Sequence, residues 1–295
     1  MNIDSDNKRL VPPHLRTPQF PKCESGKSMS IITGTISNGL IALAADSLLT
    51  DPNTGSKSYV DKISVVDFSD DEVLVAQAGL SSITNRIIEI MREKSGSLKI
   101  NHVKVVIDVA EESVREVKDR LDNEQKDYVA RNGASLVLAF YCSKKPYLYT
   151  LDFSGSGVVN AAEKNFVSAG IGSPLANYLL SEFSSPHNVS WLVTSIFVVK
   201  KVKDNNAFCG GNTTIKLIYP DRGAQNLSQN FINFMEKNIT SIDEKTKSVR
   251  NKQTLSALMS ATKKVREIFI APVKKHLKNS VKKANLTLDN PNHLG

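Results

Sequence analysis

The chain has 295 residues, enough for one large domain or for one domain with appendages. Its 40% hydrophobic and 23% charged content is an ordinary globular balance, and no run approaches the ~20 apolar residues that span a bilayer, so no membrane is expected as a partner. The net charge of +8 is unevenly placed: residues 263–283 hold eight Lys and Arg side chains against Glu267 alone, +7 in one segment. That segment reads as a solvated basic face, and nucleic acid is not an expected partner. Cys23, Cys142 and Cys209 show no CxxC spacing, and the five histidines form no HxH or HxxxH pair. Neither a disulfide framework, a metal site nor a bound cofactor is expected, and a reducing cytoplasm is the expected compartment.

Residues 1–28 are polar and proline-bearing, without helical or strand periodicity, and read as a flexible leader. From Met29 the pattern changes. Ile31–Ile36 and Leu40–Ala45 are β-rich runs separated by Ser37-Asn38-Gly39, a strong hairpin signal. Lys62–Asp67 and Val73–Ala78 follow around the acidic turn Phe68-Ser69-Asp70-Asp71. Ser81 and Ser82 are candidate N-caps for a helix with Ile83, Ile87, Ile90 and Met91 on one face. A second helix carries Ile107, Ala110, Val114, Val117 and Leu121.

Strands return at Ser135–Cys142, Tyr147–Phe153, Val158–Ala162 and Asn165–Ser168. After Gly172-Ser173-Pro174 come two helical stretches, Leu175–Phe183 and Val189–Val202, and then a strand at Thr213–Tyr219. Strands, two helices, strands, two helices and a strand predict an α+β fold, a four-layer αββα sandwich of two antiparallel sheets between helical layers. The expected division is a leader at 1–28, a domain at 29–229 and a basic helical C-terminal extension at 230–295, whose stripe Leu255, Leu258, Met259, Thr262, Val265, Ile268 and Phe269 has helical spacing.

The motifs on these elements resemble the proteasome β-subunits and the related HslV-type peptidase, members of the N-terminal-nucleophile hydrolase superfamily. Counted from Ser30, Gly34 stands at +4, Asp46 at +16 in Ala44-Ala45-Asp46-Ser47, Thr50 at +20, and Lys62 at +32 in Val60-Asp61-Lys62-Ile63. Ala78-Gly79-Leu80 resembles the family's Ala-Gly-Leu segment, Gly170-Ile171-Gly172-Ser173-Pro174 its Gly-Ser-Gly-Ser-Pro loop, and Cys209-Gly210-Gly211 its Ser-Gly-Gly. The resemblance covers about residues 29–225. Serine stands where the family has a nucleophilic threonine, Met29 precedes it where self-processing members have glycine, and Ile171 and Cys209 replace serines. The acid expected upstream of Cys209 is either Asp204 or has been lost at Asn206.

The resemblance implies roles. Ser30 is the expected nucleophile, its own α-amine the base, Asp46 the acid that holds Lys62 charged, and the Gly79 backbone N–H the oxyanion donor. Thr50 and Gln77 are the expected substrate-binding residues, Thr50 through its main chain and Gln77 facing a side-chain pocket. An α-amine titrates near pH 7.7–8.0, close to operating pH, which is why such a nucleophile must be the first residue. Met29-Ser30 has the form of a translation start from which methionine is removed.

Three functions follow from different premises. The first is a proteasome-like, threonine/serine-type peptidase in intracellular protein breakdown, with a peptide or unfolded protein as substrate, a homo-oligomeric ring as its form and an ATP-dependent unfoldase as candidate partner. The second is a catalytically silent ring or scaffold subunit. The third is an amidohydrolase of a small non-peptide amide, because a fold does not determine a reaction.

Overall fold

The computed structural model describes residues 30–37, 39–50, 54–153, 159–162, 165–183, 191–246 and 260; the leader and the basic segment 263–283 lie outside these. The first two runs form β1 (Ile32–Ser37) and β2 (Leu40–Asp46), antiparallel with Ile32 opposite Ala45 and Ser37 opposite Leu40. Gly39 has a φ of +76°, as the tight connection requires. Two short strands, β3 (Leu48–Thr50) and β4 (Lys57–Tyr59), pair only in register with one another as a separate ribbon. Then come β5 (Ile63–Phe68) and β6 (Asp71–Gly79), and the helices α1 (Ser81–Ser95), α2 (Val103–Arg120) and α3 (Asn123–Asn132). The strands β7 (Ala134–Cys142), β8 (Lys145–Asp152), β9 (Val159–Ala161) and β10 (Phe166–Ala169) follow. Helices α4 (Ser173–Phe183) and α5 (Trp191–Asn205), strands β11 (Thr213–Tyr219) and β12 (Gly223–Asn226), and helix α6 (Gln229–Thr246) complete the order.

Among the described residues the strands form two five-stranded antiparallel sheets, β10-β1-β2-β11-β12 and β5-β6-β7-β8-β9. Alternation along β2 explains the layering. Ile41, Leu43 and Ala45 point into the space between the sheets with Ile32, Ile63, Leu74 and Val137, whereas Ala42 and Ala44 point outward to α5. The small alanines let α5 lie close, and every residue from Leu192 to Val199 of that helix is buried. On the other side, α1 and α2 cover the second sheet through Ile87, Ile90, Met91, Val106, Ala110 and Val114. The architecture is the expected αββα sandwich.

The sequence reading includes neither the β3–β4 ribbon nor β12, and two helices depart from it. Helix α3 buries only Val129 and Asn132, so it has no apolar stripe to betray it; its signal is the capping box, in which Gln125 N donates to Asp122 Oδ1 (2.8 Å) and Asp122 N to Gln125 Oε1 (3.1 Å). Neither Ser81 nor Ser82 caps α1. Strand β6 runs directly into the helix, Leu80 occupies the cap position without a side-chain hydrogen bond, and its carbonyl accepts from Ile83 and Thr84.

Past residue 229, α6 sets Ile232, Met235 and Ile239 into the same apolar cluster as α5. Between the sheets, a Cβ on Gly34 would lie 2.9 Å from Leu43, 3.0 Å from Val167 and 3.1 Å from Leu148. Gly34→Val is therefore expected to destabilise the domain by about 1–3 kcal/mol, read as a lower urea midpoint with an unchanged slope. An unchanged midpoint would show that the two sheets separate freely at this point.

Candidate active site

Ser30 precedes β1, Asp46 ends β2, and Lys62 immediately precedes β5, so one sheet supplies the hydroxyl and carboxylate and the other supplies the ammonium. All three are buried, with relative exposures of 2%, 0% and 2%. The Lys62 ammonium donates to Ser30 Oγ (2.8 Å), Asp46 Oδ1 (2.7 Å) and the Leu48 carbonyl (2.5 Å). Three acceptors match the three donors of a charged lysine. Asp46 is held just as fully: Oδ1 also accepts from Ile31 N (3.0 Å), and Oδ2 accepts from Gly210 N (2.9 Å).

The surrounding backbone is arranged to keep these groups in place. Lys62 O accepts from Gln77 N (2.9 Å), and Ile63 N donates to Asp61 Oδ1 (3.0 Å). Lys216 of β11 reaches across to Asp61 Oδ2 (3.0 Å) and also donates to the Ile63 carbonyl, tying the bend that carries Lys62 to the opposite sheet. On the far side of Ser30, its carbonyl accepts from Gly172 N (3.2 Å). Gly170, at a φ of +93°, packs so closely that a Cβ there would stand 2.3 Å from the Ser30 oxygen. The same glycine borders a cleft of about 440 Å³ lined also by Ser135, Thr150, Asp152, Ser168 and Ile171, on the side of the Ser30 carbonyl.

Burial lowers the pKa of Lys62 from its ordinary 10.5 and is the dominant influence; the charge of Asp46 and its hydrogen bond oppose it, and nearby Cys209 does so to a smaller degree. Burial and the ion pair thus act on Lys62 in opposite directions, with burial the larger.

The other sequence-predicted residues are spread around this centre. Gly79 ends β6 at a φ of +107°, where a Cβ would strike the Gly133 carbonyl at 2.5 Å; its neighbour Ala78 lies beside Gly170. Thr50 ends β3, with its hydroxyl oxygen buried and without a hydrogen-bond partner among the described residues. Gln77 is buried on β6 and accepts a hydrogen bond from Thr84 of α1 (2.6 Å), so its side chain is engaged with that helix. Ile171 packs against the apolar cluster under α4 and α5, and Cys209 is buried in the same cluster. Asp204 is paired with Lys200 on α5 (2.5 Å), and Asn206 Oδ1 accepts from Phe208 N (3.0 Å). The sequence reading did not foresee the Gly210 N–H on Asp46 or the Leu48 carbonyl on Lys62. Backbone groups of this kind carry no residue-type signal, although Gly210 lay within a motif already noted.

The electrostatic balance gives a direct test. Because Asp46 raises the Lys62 pKa, Asp46→Asn should move it further below 10.5. Titration of ¹³C-labelled lysine by NMR would show this as a lower midpoint for the Lys62 ε-carbon resonance. A midpoint at or above that of the wild type would mean that burial and Asp46 do not compete as described.

The family model for the proteasome subunit matches residues 28–218, and no curated protein matches the chain. Solved structures with the same fold include Anbu (ancestral beta-subunit) from Yersinia bercovieri, 15% identical, with a TM-score of 0.58 over 75% of this chain and 98% of that one. Anbu from Hyphomicrobium sp. strain MC1 is 10% identical, with a TM-score of 0.59 over 75% and 98% of the two chains. The helical assembly of the Anbu complex from Pseudomonas aeruginosa gives 13% identity and a TM-score of 0.61 over 75% and 97%. With the matched span containing Ser30, Asp46 and Lys62 and the sandwich that carries them, the chain belongs to the proteasome subunit family.

Proposed function

We propose that the chain is an amide-bond hydrolase of the N-terminal-nucleophile type, a peptidase that attacks through Ser30. The observation that carries this reading is the buried Ser30–Lys62–Asp46 cluster, in which one ammonium joins the hydroxyl at 2.8 Å and the carboxylate at 2.7 Å. With Lys62 donating to Ser30 Oγ, the hydroxyl proton remains available to a base, and the free α-amine of a terminal Ser30 is that base. Nearby positive charge on Lys62 favours the neutral, proton-accepting form of the amine. Oγ attacks the scissile carbonyl, the Gly79 backbone N–H stabilises the oxyanion, and the protonated amine returns its proton to the leaving nitrogen. Water then hydrolyses the ester at Ser30 with the amine again as base.

This chemistry requires Ser30 to be the first residue. In a longer chain its nitrogen is an amide whose lone pair is delocalised into the carbonyl of residue 29, and it accepts no proton. Extended peptide or unfolded protein is the substrate class, with the main chain at Thr50 and, once its hydrogen bond from Thr84 is released, the side chain of Gln77 on its path. The likeness to a chain that forms a helical assembly supports a homo-oligomeric working form. An ATP-dependent unfoldase is the proposed partner and the cytoplasm the proposed compartment.

Ile171 in the apolar cluster and Asp204 on Lys200 favour a second reading, a silent scaffold subunit, because neither supplies a polar group to the amine.

A chain expressed from Met29 is expected to carry Ser30 at its N-terminus by intact mass and to hydrolyse a peptide reporter, whereas unprocessed 295-residue protein is inert. Lys62→Ala and Asp46→Asn should each abolish the activity in protein whose circular dichroism shows it folded. Equal activity from an unprocessed chain would rule out Ser30 as nucleophile, and a Ser30-terminal protein inert toward peptide and small-amide reporters alike would favour the scaffold reading.

A further inference from the structure

Helix α6 begins beyond the family match at 28–218, yet one of its side chains reaches the ground on which the candidate site rests. Glu236 Oε1 accepts from Lys203 Nζ (2.7 Å) and from Thr213 Oγ1 (2.5 Å). Lys203, at the end of α5, also donates to Thr213 Oγ1 (2.8 Å) and to the Gly211 carbonyl (3.0 Å). The pair is largely buried, with side-chain exposures of 9% and 17%, so it is not one of the surface ion pairs that contribute little.

What it holds is the turn through Gly210 and Gly211, which is stitched to the segment containing Asp46. Gly210 N donates to Asp46 Oδ2 (2.9 Å), Leu48 N to the Gly210 carbonyl (3.0 Å), Asn212 N to Ser47 Oγ (2.9 Å) and Ser47 N to the Asn212 carbonyl (2.9 Å). Leu48 in turn offers its carbonyl to Lys62. Gly211 sits at a φ of +71°, and a Cβ there would lie 2.4 Å from Ser47 Oγ and 2.7 Å from the Tyr59 ring, so the turn has one narrow conformation to keep. A lysine is needed behind it to donate to the Gly211 carbonyl, and a buried lysine needs a counter-charge.

We propose that Glu236 is a positioning residue for the candidate site: through Lys203 it fixes the Gly210–Gly211 turn, and through that turn it aims the Gly210 N–H at Asp46 and the Leu48 carbonyl at Lys62. The kinetic part rests on the peptidase reading above; the geometric part does not. The site is thus completed by a helix outside the family match.

The test has two arms on the full-length protein and on the chain started at Met29. Glu236→Gln, which keeps the shape and removes the charge, should shift the Gly210 amide proton in ¹H–¹⁵N NMR and speed its hydrogen exchange by about an order of magnitude. Lys203→Met should do the same, and guards against one variant failing to fold. Ile232→Ala, which removes an apolar anchor of the same helix, should lower the melting temperature and leave the Gly210 resonance in place. In the Ser30-terminal enzyme, Glu236→Gln should lower kcat about tenfold with KM within about twofold, as for a support lost behind a reacting group. An unmoved Gly210 amide in both charge variants, or an equal shift in Ile232→Ala, overturns the proposal. If the wild type is inert, the peptidase reading fails while the amide measurement still decides the role of Glu236.

Discussion

The Lys62–Asp46 contact places two charges where water does not reach, and such a pair persists only when the remaining donors and acceptors are also met. That requirement accounts for much of the local design. Lys62 needs three acceptors and finds them in a hydroxyl, a carboxylate and a carbonyl. Asp46 accepts from the ammonium and from two backbone N–H groups, which come from opposite directions along the chain. Each of these groups then needs its own support: the bend at 61–63 held by Lys216, the Gly210–Gly211 turn held by Lys203, and the Ser30 carbonyl held by Gly172. The glycines at 170 and 211 mark where backbone or side-chain atoms approach too closely for a Cβ.

Much of this arrangement was legible in the sequence, and the limits have physical causes. Runs rich in apolar residues between turn signals specified β1, β2, β5, β6 and β7, which are largely buried, and the resemblance to the proteasome β-subunits named Ser30, Asp46 and Lys62, which the fold brings within hydrogen-bond distance. Helix α3 escaped because its stability rests on a capping box and polar surface. The β3–β4 ribbon escaped because three-residue strands show no period, and β4 is fully exposed. Lys203 and Glu236 lie 33 residues apart on two helices, and no pattern in a single sequence announces a contact of that kind.

The placement of α6 qualifies how the family relation is understood. The matched span contains the strands as far as β11, the hydroxyl and the buried ion pair, but the carboxylate that neutralises Lys203 comes from beyond it. The matched span therefore accounts for where the central groups stand, while part of what holds them lies in the segment after it.

The site is divided between the two sheets, and this gives the interior packing a second role. Ser30, Asp46, Gly170 and Gly210 travel with one sheet, and Lys62, Gln77 and Gly79 with the other. Their separation is set by the apolar layer of Ile32, Leu43, Ile63, Leu74 and Val137, which acts as a spacer of defined thickness. Close-packed interiors transmit small changes in volume. Sliding of one sheet across the other by a fraction of an ångström would spoil the alignment of hydroxyl, ammonium and carboxylate with no residue of the site altered. The tolerance of the chemistry is thus a mechanical property of the core: volume lost from the inter-sheet layer detunes the site, whereas the same volume lost beneath α1 and α2 leaves the alignment intact.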